Sequence, residues 1–497
     1  MVKKLMIQGT MSGVGKSLIV AGLCRIFMQD GLHPAPFKSQ NMALNSFVTS
    51  DGLEMGRAQA MQAYAAGLEP CIEMNPILLK PTGDTGSQVI VNGKPIGNMS
   101  AVDYFKYKKT LIPDIQKAFD KLTLEYDPLI VEGAGSPAEI NLKTDDIVNM
   151  GLAKMIDAPV LLVGDIDKGG VFAQLFGTVM LLPGDERSLI KGFIINKFRG
   201  DPSLLDSGIS RIEELTGIPV MGVVPYIHDL GLEDEDSLTA RFDRRPDASA
   251  KLTIGVIKLP RISNFSDFDP FEQNPDVSVV YSTDPKVLEK ADMIVIPGSK
   301  NTIADLRFLH EKGLVGLLQK KHGLIPVFGI CGGYQMLGRT VSDPQGLEGG
   351  GSVDGLGLLP IETVLQKEKI QRQVSGMIST PVPGIFSELS GKTCKGYEIH
   401  MGRTVSPDDP ESPRMITGSV TDVYGTYVHG FFDSPGITGT VLNALAKKKG
   451  VRIDTSSQTD QRSFRNSRYD LLSDTIRKAV CIDRLYDVLS DSSTLQD

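Results

Sequence analysis

The sequence predicts an α/β fold with two units, each built around a parallel β-sheet. Seven short apolar runs alternate with longer amphipathic stretches, and several runs end in turns rich in Gly or Asp. Continuous apolar runs followed by helix-like segments are typical of buried parallel strands. Gly contributes 52 of the 497 residues, which fits the tight turns of such folds. The runs comprise residues 5–7, 129–131, 160–163, 193–195, 254–257, 293–296 and 327–330.

Length, charge and composition exclude several classes of protein. A chain of 497 residues exceeds one ordinary domain, and 41% hydrophobic residues exclude global disorder. Lys and Arg total 52 against 60 Asp and Glu, a net charge of −8, which argues against a nucleic-acid-binding surface. No apolar run approaches the ~18 residues of a membrane span, and the five cysteines form no C-x-x-C pair. We therefore expect a cytoplasmic protein with free thiols and with neither a membrane nor a nucleic-acid partner.

Changes in composition along the chain predict four segments. An N-terminal domain covers residues 1–228 and a second α/β domain covers residues 252–438. Residues 229–251 contain an acidic run and a pair of arginines, which is typical of a solvated linker. Residues 439–497 are polar and helix-like, and we expect a helical extension there. The sequence defines no oligomeric state.

A glycine-rich loop lies between the first predicted strand and a helix-compatible run. From residue 9 to residue 17 it reads Gly-Thr-Met-Ser-Gly-Val-Gly-Lys-Ser. Backbone N–H groups around Gly13 and Gly15 would bind phosphate oxygens, Lys16 would reach the β- and γ-phosphates, and Ser17 would hold Mg²⁺. The strict phosphate-loop pattern has Gly where this chain has Thr10. The order of strand, loop and helix still predicts a nucleotide site for ATP.

The Mg²⁺ ion also needs an acidic partner at the end of another strand. Glu132 follows the apolar run 129–131 and precedes small residues that leave room for a ligand. A lone carboxylate after a strand is more often a helix cap or a solvated strand end. The small residues after Glu132 nevertheless favour a role as the Mg²⁺ partner. Asp51 is a further metal candidate, and Glu54 is a weaker one.

A second chemical motif is centred on Cys331. Residues 326–335 combine a predicted strand, the pattern G-x-C-x-G and a helix. This is nucleophile-elbow geometry, in which a sharp turn exposes the thiol and the helix N-terminus offers N–H groups to an oxyanion. The alternative is a buried inert cysteine. Besides Gly332, the backbone around Gly298 and Ser299 is a plausible oxyanion donor, although a plain turn explains the Pro-Gly pair equally well.

A thiol nucleophile needs a histidine base, and the chain has six histidines. His429 ends a strand-like run well downstream of Cys331, and this order of nucleophile and base is common in α/β enzymes. We therefore predict His429 as the base, with His400 as the alternative.

These motifs carry a resemblance to known families. Residues 10–17 together with 132–135 resemble the ATP site of the dethiobiotin synthetase-like P-loop family, and the elbow with its late histidine resembles class I glutamine amidotransferases. A chain with the ATP-site motif followed by the cysteine elbow resembles the cobyric acid synthase family. The resemblance implies an N-terminal P-loop NTPase-type parallel-sheet domain and a C-terminal class I glutamine amidotransferase α/β domain. Its longest stretches are residues 36–46, 131–141, 164–172, 297–302 and 396–402.

The resemblance also implies an activity. It implies amidation of the b, d, e and g carboxylates of the corrinoid adenosylcobyrinic acid a,c-diamide, with ATP, Mg²⁺ and L-glutamine as the ammonia donor. We expect the corrinoid near residues 38–46, whose amides and hydroxyls suit propionamide groups, although an Asn-rich turn explains them equally well. The substrate candidates are Lys38, Gln40, Asn41, Asn45 and Ser46.

One position departs from the pattern of most class I amidotransferases. Those enzymes carry Glu two residues after the catalytic histidine, where this chain has Phe431. The resemblance implies that this subfamily works with Cys and His without that Glu. The residue that orients the His429 ring is not identified by the sequence.

Two other functions compete with this interpretation. Cobyrinic acid a,c-diamide synthases share both domains, but the motif at residues 40–46 favours the fourfold amidation. A partitioning-type switch ATPase would explain the N-terminal half alone. Such a switch needs no G-x-C-x-G elbow followed by a strand-end histidine.

Overall fold

The computed structural model describes residues 2–82, 86–228, 230–232, 242, 246–406, 415–434, 436–455 and 461–490. Much of the predicted linker 229–251, including its acidic run at 233–236, lies outside the described residues. None of the helices in the described part of the chain is both long and apolar enough to cross a membrane.

The chain divides into two compact units. The first comprises Met1–Ala43, Glu54–Asp236 and Arg465–Asp497, and the second comprises Leu44–Leu53 and Ser237–Phe464. The short segment Leu44–Leu53 therefore belongs with the second unit, although its sequence lies within the predicted N-terminal domain. The predicted boundaries at residues 228, 252 and 438 remain predictions.

The N-terminal half of the chain alternates strands and helices. Its strands are β1 (Lys4–Gly9), β2 (Ala35–Phe37), β3 (Gln40–Met42), β4 (Ser46–Val48), β5 (Glu54–Gly56), β6 (Ile77–Pro81), β7 (Gly86–Val91), β8 (Lys94–Ser100), β9 (Leu129–Glu132), β10 (Val160–Asp165), β11 (Ile190–Phe198) and β12 (Val220–Pro225). Its helices are α1 (Lys16–Gln29), α2 (Arg57–Ala65), α3 (Ala101–Tyr107), α4 (Ile112–Thr123), α5 (Met150–Met155), α6 (Val171–Leu181), α7 (Gly184–Arg187) and α8 (Asp206–Thr216).

The central sheet of the first unit has six parallel strands in the order β12-β11-β10-β1-β9-β2. The first four predicted apolar runs lie in β1, β9, β10 and β11. Because these strands are covered on both faces, their side chains are almost entirely buried. A second sheet, β3-β6-β7-β8, is mixed and was not predicted.

The remaining elements follow residue 246. The strands are β13 (Leu252–Ile257), β14 (Ile262–Ser263), β15 (Val277–Ser282), β16 (Met293–Ile296), β17 (Gly298–Ser299), β18 (Val327–Ile330), β19 (Thr340–Asp343), β20 (Gly351–Asp354), β21 (Glu362–Met377), β22 (Thr393–Val405), β23 (Thr417–Gly418), β24 (Val423–Thr426) and β25 (Val428–His429). The helices are α9 (Asp269–Glu272), α10 (Pro285–Leu288), α11 (Thr302–Glu311), α12 (Leu314–Lys321), α13 (Gly332–Met336), α14 (Ile437–Lys449), α15 (Gln461–Ala479) and α16 (Ile482–Ser490).

The second unit is also built on a largely parallel sheet. Its strand order is β15-β13-β16-β18-β24-β23, and only the edge pair β23–β24 is antiparallel. The last three predicted apolar runs lie in β13, β16 and β18. The predicted α/β fold with a parallel sheet in each half is thus confirmed. A further five-stranded sheet, β20-β19-β21-β22-β25, brings His429 next to Tyr397 and was not predicted.

The C-terminal segment is helical but does not form one extension. Helix α14 belongs to the second unit and buries Ile437, Val441 and Leu445 in its core. Helix α15 instead packs on α1 in the first unit, where Arg25 pairs with Asp470 at 2.8 Å. Helix α15 therefore contributes side chains such as Leu472 and Ile476 to the core of that unit.

Candidate functional site

The glycine-rich loop has a backbone that only glycine adopts readily. Gly13 and Gly15 have φ angles of 80° and 89°, in the left-handed region, and α1 begins immediately afterwards at Lys16. A Cβ atom on Gly15 would also lie 2.4 Å from Nδ2 of Asn196. The loop therefore leads directly into a helix N-terminus, where backbone N–H groups attract anions.

Lys16 and Ser17 lie where the phosphate-loop pattern predicts them. The Lys16 ammonium donates to the carbonyl oxygens of Met11 and Gly135, at 3.0 and 3.2 Å. The Ser17 hydroxyl donates to Oε1 of Glu132 at 2.9 Å. Two of the three predicted metal residues, Ser17 and Glu132, are thus in direct contact.

Glu132 is a buried carboxylate held by several donors. Lys38 Nζ lies 2.7 Å from its Oε1, and Gln62 Nε2 lies 2.5 Å from its Oε2. Burial raises the pKa of Glu132, but the positive charge of Lys38 outweighs it and holds the pKa below its usual range. The predicted role of Lys38 as a substrate residue stays a prediction, and the structure pairs its ammonium with the carboxylate beside the phosphate loop.

The hydroxyl and the ionised carboxylate are oxygen ligands of the kind that Mg²⁺ prefers. Ser17 and Glu132 therefore fit a Mg²⁺ ion that is also bound by phosphate oxygens. Within the described residues, no group of three or more His, Cys, Asp or Glu side chains could hold a metal by itself. The fit accordingly depends on bound nucleotide.

The other two acidic candidates have different surroundings. Asp51 belongs to the second unit, where it accepts a hydrogen bond from the Thr49 hydroxyl in an exposed turn. Glu54 is buried and pairs with Lys80 at 2.9 Å. The structure does not group either carboxylate with Ser17 and Glu132.

The remaining substrate candidates are split between the two units. Gln40 accepts a hydrogen bond from the Tyr104 hydroxyl, and Asn41 donates to Gln59 at 3.1 Å, both within the first unit. Asn45 and Ser46 belong to the second unit. There Oδ1 of Asn45 accepts from the backbone N–H of Asn264 at 2.6 Å, and the Ser46 carbonyl accepts from the Tyr397 hydroxyl at 2.9 Å.

Cys331 lies at a strained turn between β18 and α13. Its φ and ψ angles are 52° and −108°, an unusual conformation for a residue with a side chain. Its backbone N–H donates to the Thr426 carbonyl at 2.8 Å, which ties the turn to β24. The predicted elbow geometry is therefore present at this thiol.

The predicted oxyanion residues lie around the same turn. A Cβ atom on Gly332 would lie 3.0 Å from the backbone nitrogen of Ser299, and one on Gly298 would lie 3.1 Å from Cε1 of His429. Any side chain at either position would be tightly packed against these neighbours. These close approaches place the backbone of β17 beside both the elbow and the histidine ring.

His429 is buried and is bound by an acid that the sequence did not reveal. Its Nδ1 lies 2.8 Å from Oδ2 of Asp267. Burial lowers the pKa of His429, but Asp267 and a hydrogen bond with Cys331 outweigh it and raise the pKa to about 10. The ring is thus charged near neutral pH, which suits it to donate a proton.

The alternative histidine, His400, has a less suitable environment. Its ring stacks on Tyr427 with centroids 3.6 Å apart, and its Nδ1 is buried without a hydrogen-bond partner in the described part of the chain. Burial lowers the pKa of His400 to about 3. A ring that stays neutral at physiological pH fits a catalytic acid poorly, so the geometry favours His429.

Asp267 was missed because it lies 162 residues before His429 and belongs to no motif used above. A signal for it does exist in the sequence. Residues 264–269 read Asn-Phe-Ser-Asp-Phe-Asp, which places acids between aromatic residues. A carboxylate in such an apolar segment needs a partner if it is buried.

Two protein-family models match this chain, and each covers one of the two motifs. Residues 5–239 match the family model described as the CobQ/CobB/MinD/ParA nucleotide binding domain. Residues 253–437 match the model described as the CobB/CobQ-like glutamine amidotransferase domain.

Relatives of similar length match the whole chain. The chain is 51% identical to a cobyric acid synthase of Lachnoclostridium phytofermentans, over 99% of this chain and 100% of the relative. It is 51% identical to a cobyric acid synthase of Ruminiclostridium cellulolyticum, over 99% and 98%. It is 49% identical to one of Photorhabdus laumondii, over 97% of each chain. At this identity and coverage, the chain belongs to the cobyric acid synthase family.

Proposed function

We propose that this chain uses ATP and glutamine to amidate the b, d, e and g carboxylates of adenosylcobyrinic acid a,c-diamide, giving adenosylcobyric acid. One observation carries the proposal. A phosphate loop with Lys16, Ser17 and Glu132 occurs in the same chain as a strained Cys331 beside His429. A ligase that takes nitrogen from glutamine needs both an activating site and a glutaminase site.

The phosphate-loop unit would activate the substrate. A corrinoid carboxylate oxygen attacks the γ-phosphorus of ATP and ADP leaves, which gives an acyl phosphate. Lys16 and the N-terminus of α1 bind the phosphates, and Lys38 supplies a second positive charge at this site. Mg²⁺ held by Ser17 and Glu132 would offset the charge of the transferred phosphoryl group. Ammonia then attacks the acyl carbon and phosphate leaves.

The second unit would supply that ammonia. The Cys331 sulfur attacks the amide carbon of glutamine, and His429 donates a proton to the departing ammonia. Backbone N–H groups at Gly332 and in β17 are suited to bind the developing oxyanion. Water then hydrolyses the thioester and releases glutamate.

The corrinoid contacts form part of the same proposal. Gln40 and Asn41 keep the predicted role, because their amides lie in the phosphate-loop unit. The partners of Asn45 and Ser46 instead suggest a role in the amidotransferase unit.

The expected cytoplasmic location is also retained, since all five cysteines are free thiols.

Product analysis tests the proposal. The full chain is incubated with ATP, Mg²⁺ and glutamine, and either cobyrinic acid or its adenosylated a,c-diamide is added. Mass spectrometry should show four new amides on the a,c-diamide. Two amides on cobyrinic acid and none on the a,c-diamide would favour the a,c-diamide synthase activity. ATP hydrolysis without any corrinoid product would favour a switch ATPase.

A further inference from the structure

The usual acid of a class I amidotransferase cannot come from position 431. Phe431 is buried and packs against Phe328, with ring centroids 5.7 Å apart. A buried, strongly perturbed imidazole nevertheless needs a group that fixes its orientation and its tautomer.

Asp267 has the position that such a group requires. It lies in the turn Phe265–Phe268, between β14 and α9, and only 3% of its surface is exposed. Oδ2 faces Nδ1 of His429 at 2.8 Å, and Oδ1 accepts the backbone N–H of Gly430 at 2.8 Å. Both carboxylate oxygens are therefore engaged, one by the ring and one by the backbone that carries the ring.

This contact determines which nitrogen faces the thiol. With Nδ1 bound to the carboxylate, the opposite nitrogen, Nε2, is left to exchange a proton with Cys331. The ring is also stacked on Tyr397, with centroids 5.5 Å apart, which restricts its rotation. Besides Tyr397, the titratable side chains of Cys331 and His400 interact electrostatically with His429.

We propose that Asp267 is the positioning residue of the thiol site, replacing the carboxylate that other class I amidotransferases place two residues after the histidine. It holds His429 through Nδ1 and stabilises the imidazolium that faces Cys331. This assignment rests on the proposed glutaminase function of the second unit.

The turn that carries Asp267 is itself fixed from two sides. Asn264, with a left-handed φ of 53°, begins the turn, and its backbone and side chain bond to Asn45 and Ser46. The preceding strand β14 pairs with β17 through Ser263 and Gly298. The same turn thus joins the histidine partner to the strand proposed to bind the oxyanion.

The test compares Asp267→Asn with wild type in the full chain. Asn keeps the shape of the side chain but cannot carry the charge. We expect glutaminase kcat to fall about 10²- to 10⁴-fold, as when the corresponding acid of a serine-protease triad is replaced. KM for glutamine and amidation with ammonium chloride should both stay within about twofold, since the hydrogen bonds of Asp267 are made to His429 and to the backbone of Gly430.

Asp343→Asn is the matched control. Asp343 is also buried, and its carboxylate accepts the backbone N–H groups of Leu347, Glu348 and Gly350 in a separate loop. This variant should keep glutaminase activity. An equal loss of kcat in both variants would mean that Asp267 is merely structural and would overturn the assignment.

A proton NMR measurement does not depend on whether Asp267→Asn folds. A hydrogen bond between Nδ1–H and a carboxylate moves the proton far downfield, so wild type and Cys331→Ala should both show such a resonance. Its absence from both would overturn the assignment even if Asp267→Asn fails to fold. If Cys331→Ala retains glutamine-dependent amidation, the proposed function itself fails. If only Asp267→Asn behaves like wild type, the function stands and the assignment of Asp267 fails.

Discussion

The two candidate sites compensate their buried charges in different ways. At the phosphate loop, the Glu132 carboxylate is paired with the Lys38 ammonium, and Ser17 donates to the same carboxylate. At the thiol, the Asp267 carboxylate binds both the His429 ring and the backbone after it. The thiol site thus compensates its carboxylate with a ring and a backbone N–H, whereas the phosphate loop uses an ammonium and a hydroxyl, so we expect different substitutions to disable the two sites.

The largest effect separating the two sites is expected for Lys16→Ala. Removing the ammonium that faces the phosphates should lower amidation on the order of 10²- to 10³-fold with either glutamine or ammonium chloride. Glutamine hydrolysis in the second unit should continue. Lys117→Ala, an exposed change on α4, is the control. Amidation near the wild-type rate in Lys16→Ala would remove this residue from the phosphate site.

Lys38→Met tests the charge pair directly. It leaves Glu132 buried without its main counter-charge, so the free energy of unfolding of the first unit should fall by about 3 kcal/mol at pH 7. The double variant Lys38→Met/Glu132→Gln should recover much of that loss. Hydrogen exchange in peptides that cover β9, measured across a urea series, reports the change. Equal stability of Lys38→Met and wild type would contradict the pair.

The same pair predicts a pH dependence. Because the pKa of Glu132 is lower in the folded state than its ordinary value of 4.5, the pair stabilises the fold above that pH. The stabilisation is lost as the pH falls through the folded-state pKa. Wild type should therefore lose stability more steeply than Glu132→Gln on acidification below about pH 4.5. Parallel stability curves for the two proteins would argue against an ionised pair.

The smallest effect is expected for Asn45→Ala. The change leaves the buried N–H of Asn264 without its acceptor, which costs about 1 to 2 kcal/mol. We expect glutaminase kcat/KM to fall roughly fivefold to tenfold, and KM for the corrinoid to stay unchanged. The opposite pattern, a raised corrinoid KM with normal glutaminase activity, would support the sequence-based assignment of Asn45 to the substrate. Asn98→Ala on β8 is the control.

The sequence predicts best what is local in the chain. The Gly13–Ser17 loop and the Cys331 elbow follow from a few neighbouring residues whose backbone geometry restricts their identity, and the structure has both turns where they were predicted. The parallel sheets follow from the apolar runs. Glu132 was found because strand ends of a parallel sheet lie at one edge.

The features that the sequence did not reveal depend on contacts between residues that are far apart in the chain. Asp267 reaches His429 only because β14, β17 and β25 lie together in the folded second unit. Asn45 is seven residues from Lys38 in sequence, yet the two belong to different compact units. The substrate role that neighbouring positions suggested for Asn45 therefore stays a prediction. Likewise, only α15 and α16 of the predicted extension join the first unit, because their apolar faces pack there.

The most direct test of two separable sites uses Cys331→Ala and isotope-labelled nitrogen. The variant is given ATP and the adenosylated a,c-diamide, with either amide-¹⁵N glutamine or ¹⁵N ammonium chloride, and the corrinoid is analysed by mass spectrometry. Cys394→Ala, which removes another buried thiol of the same unit, is the control and should use both nitrogen sources. We predict that Cys331→Ala transfers no ¹⁵N from glutamine but forms four labelled amides from ammonium. Incorporation from glutamine, or failure with both sources in a folded protein, would contradict the account.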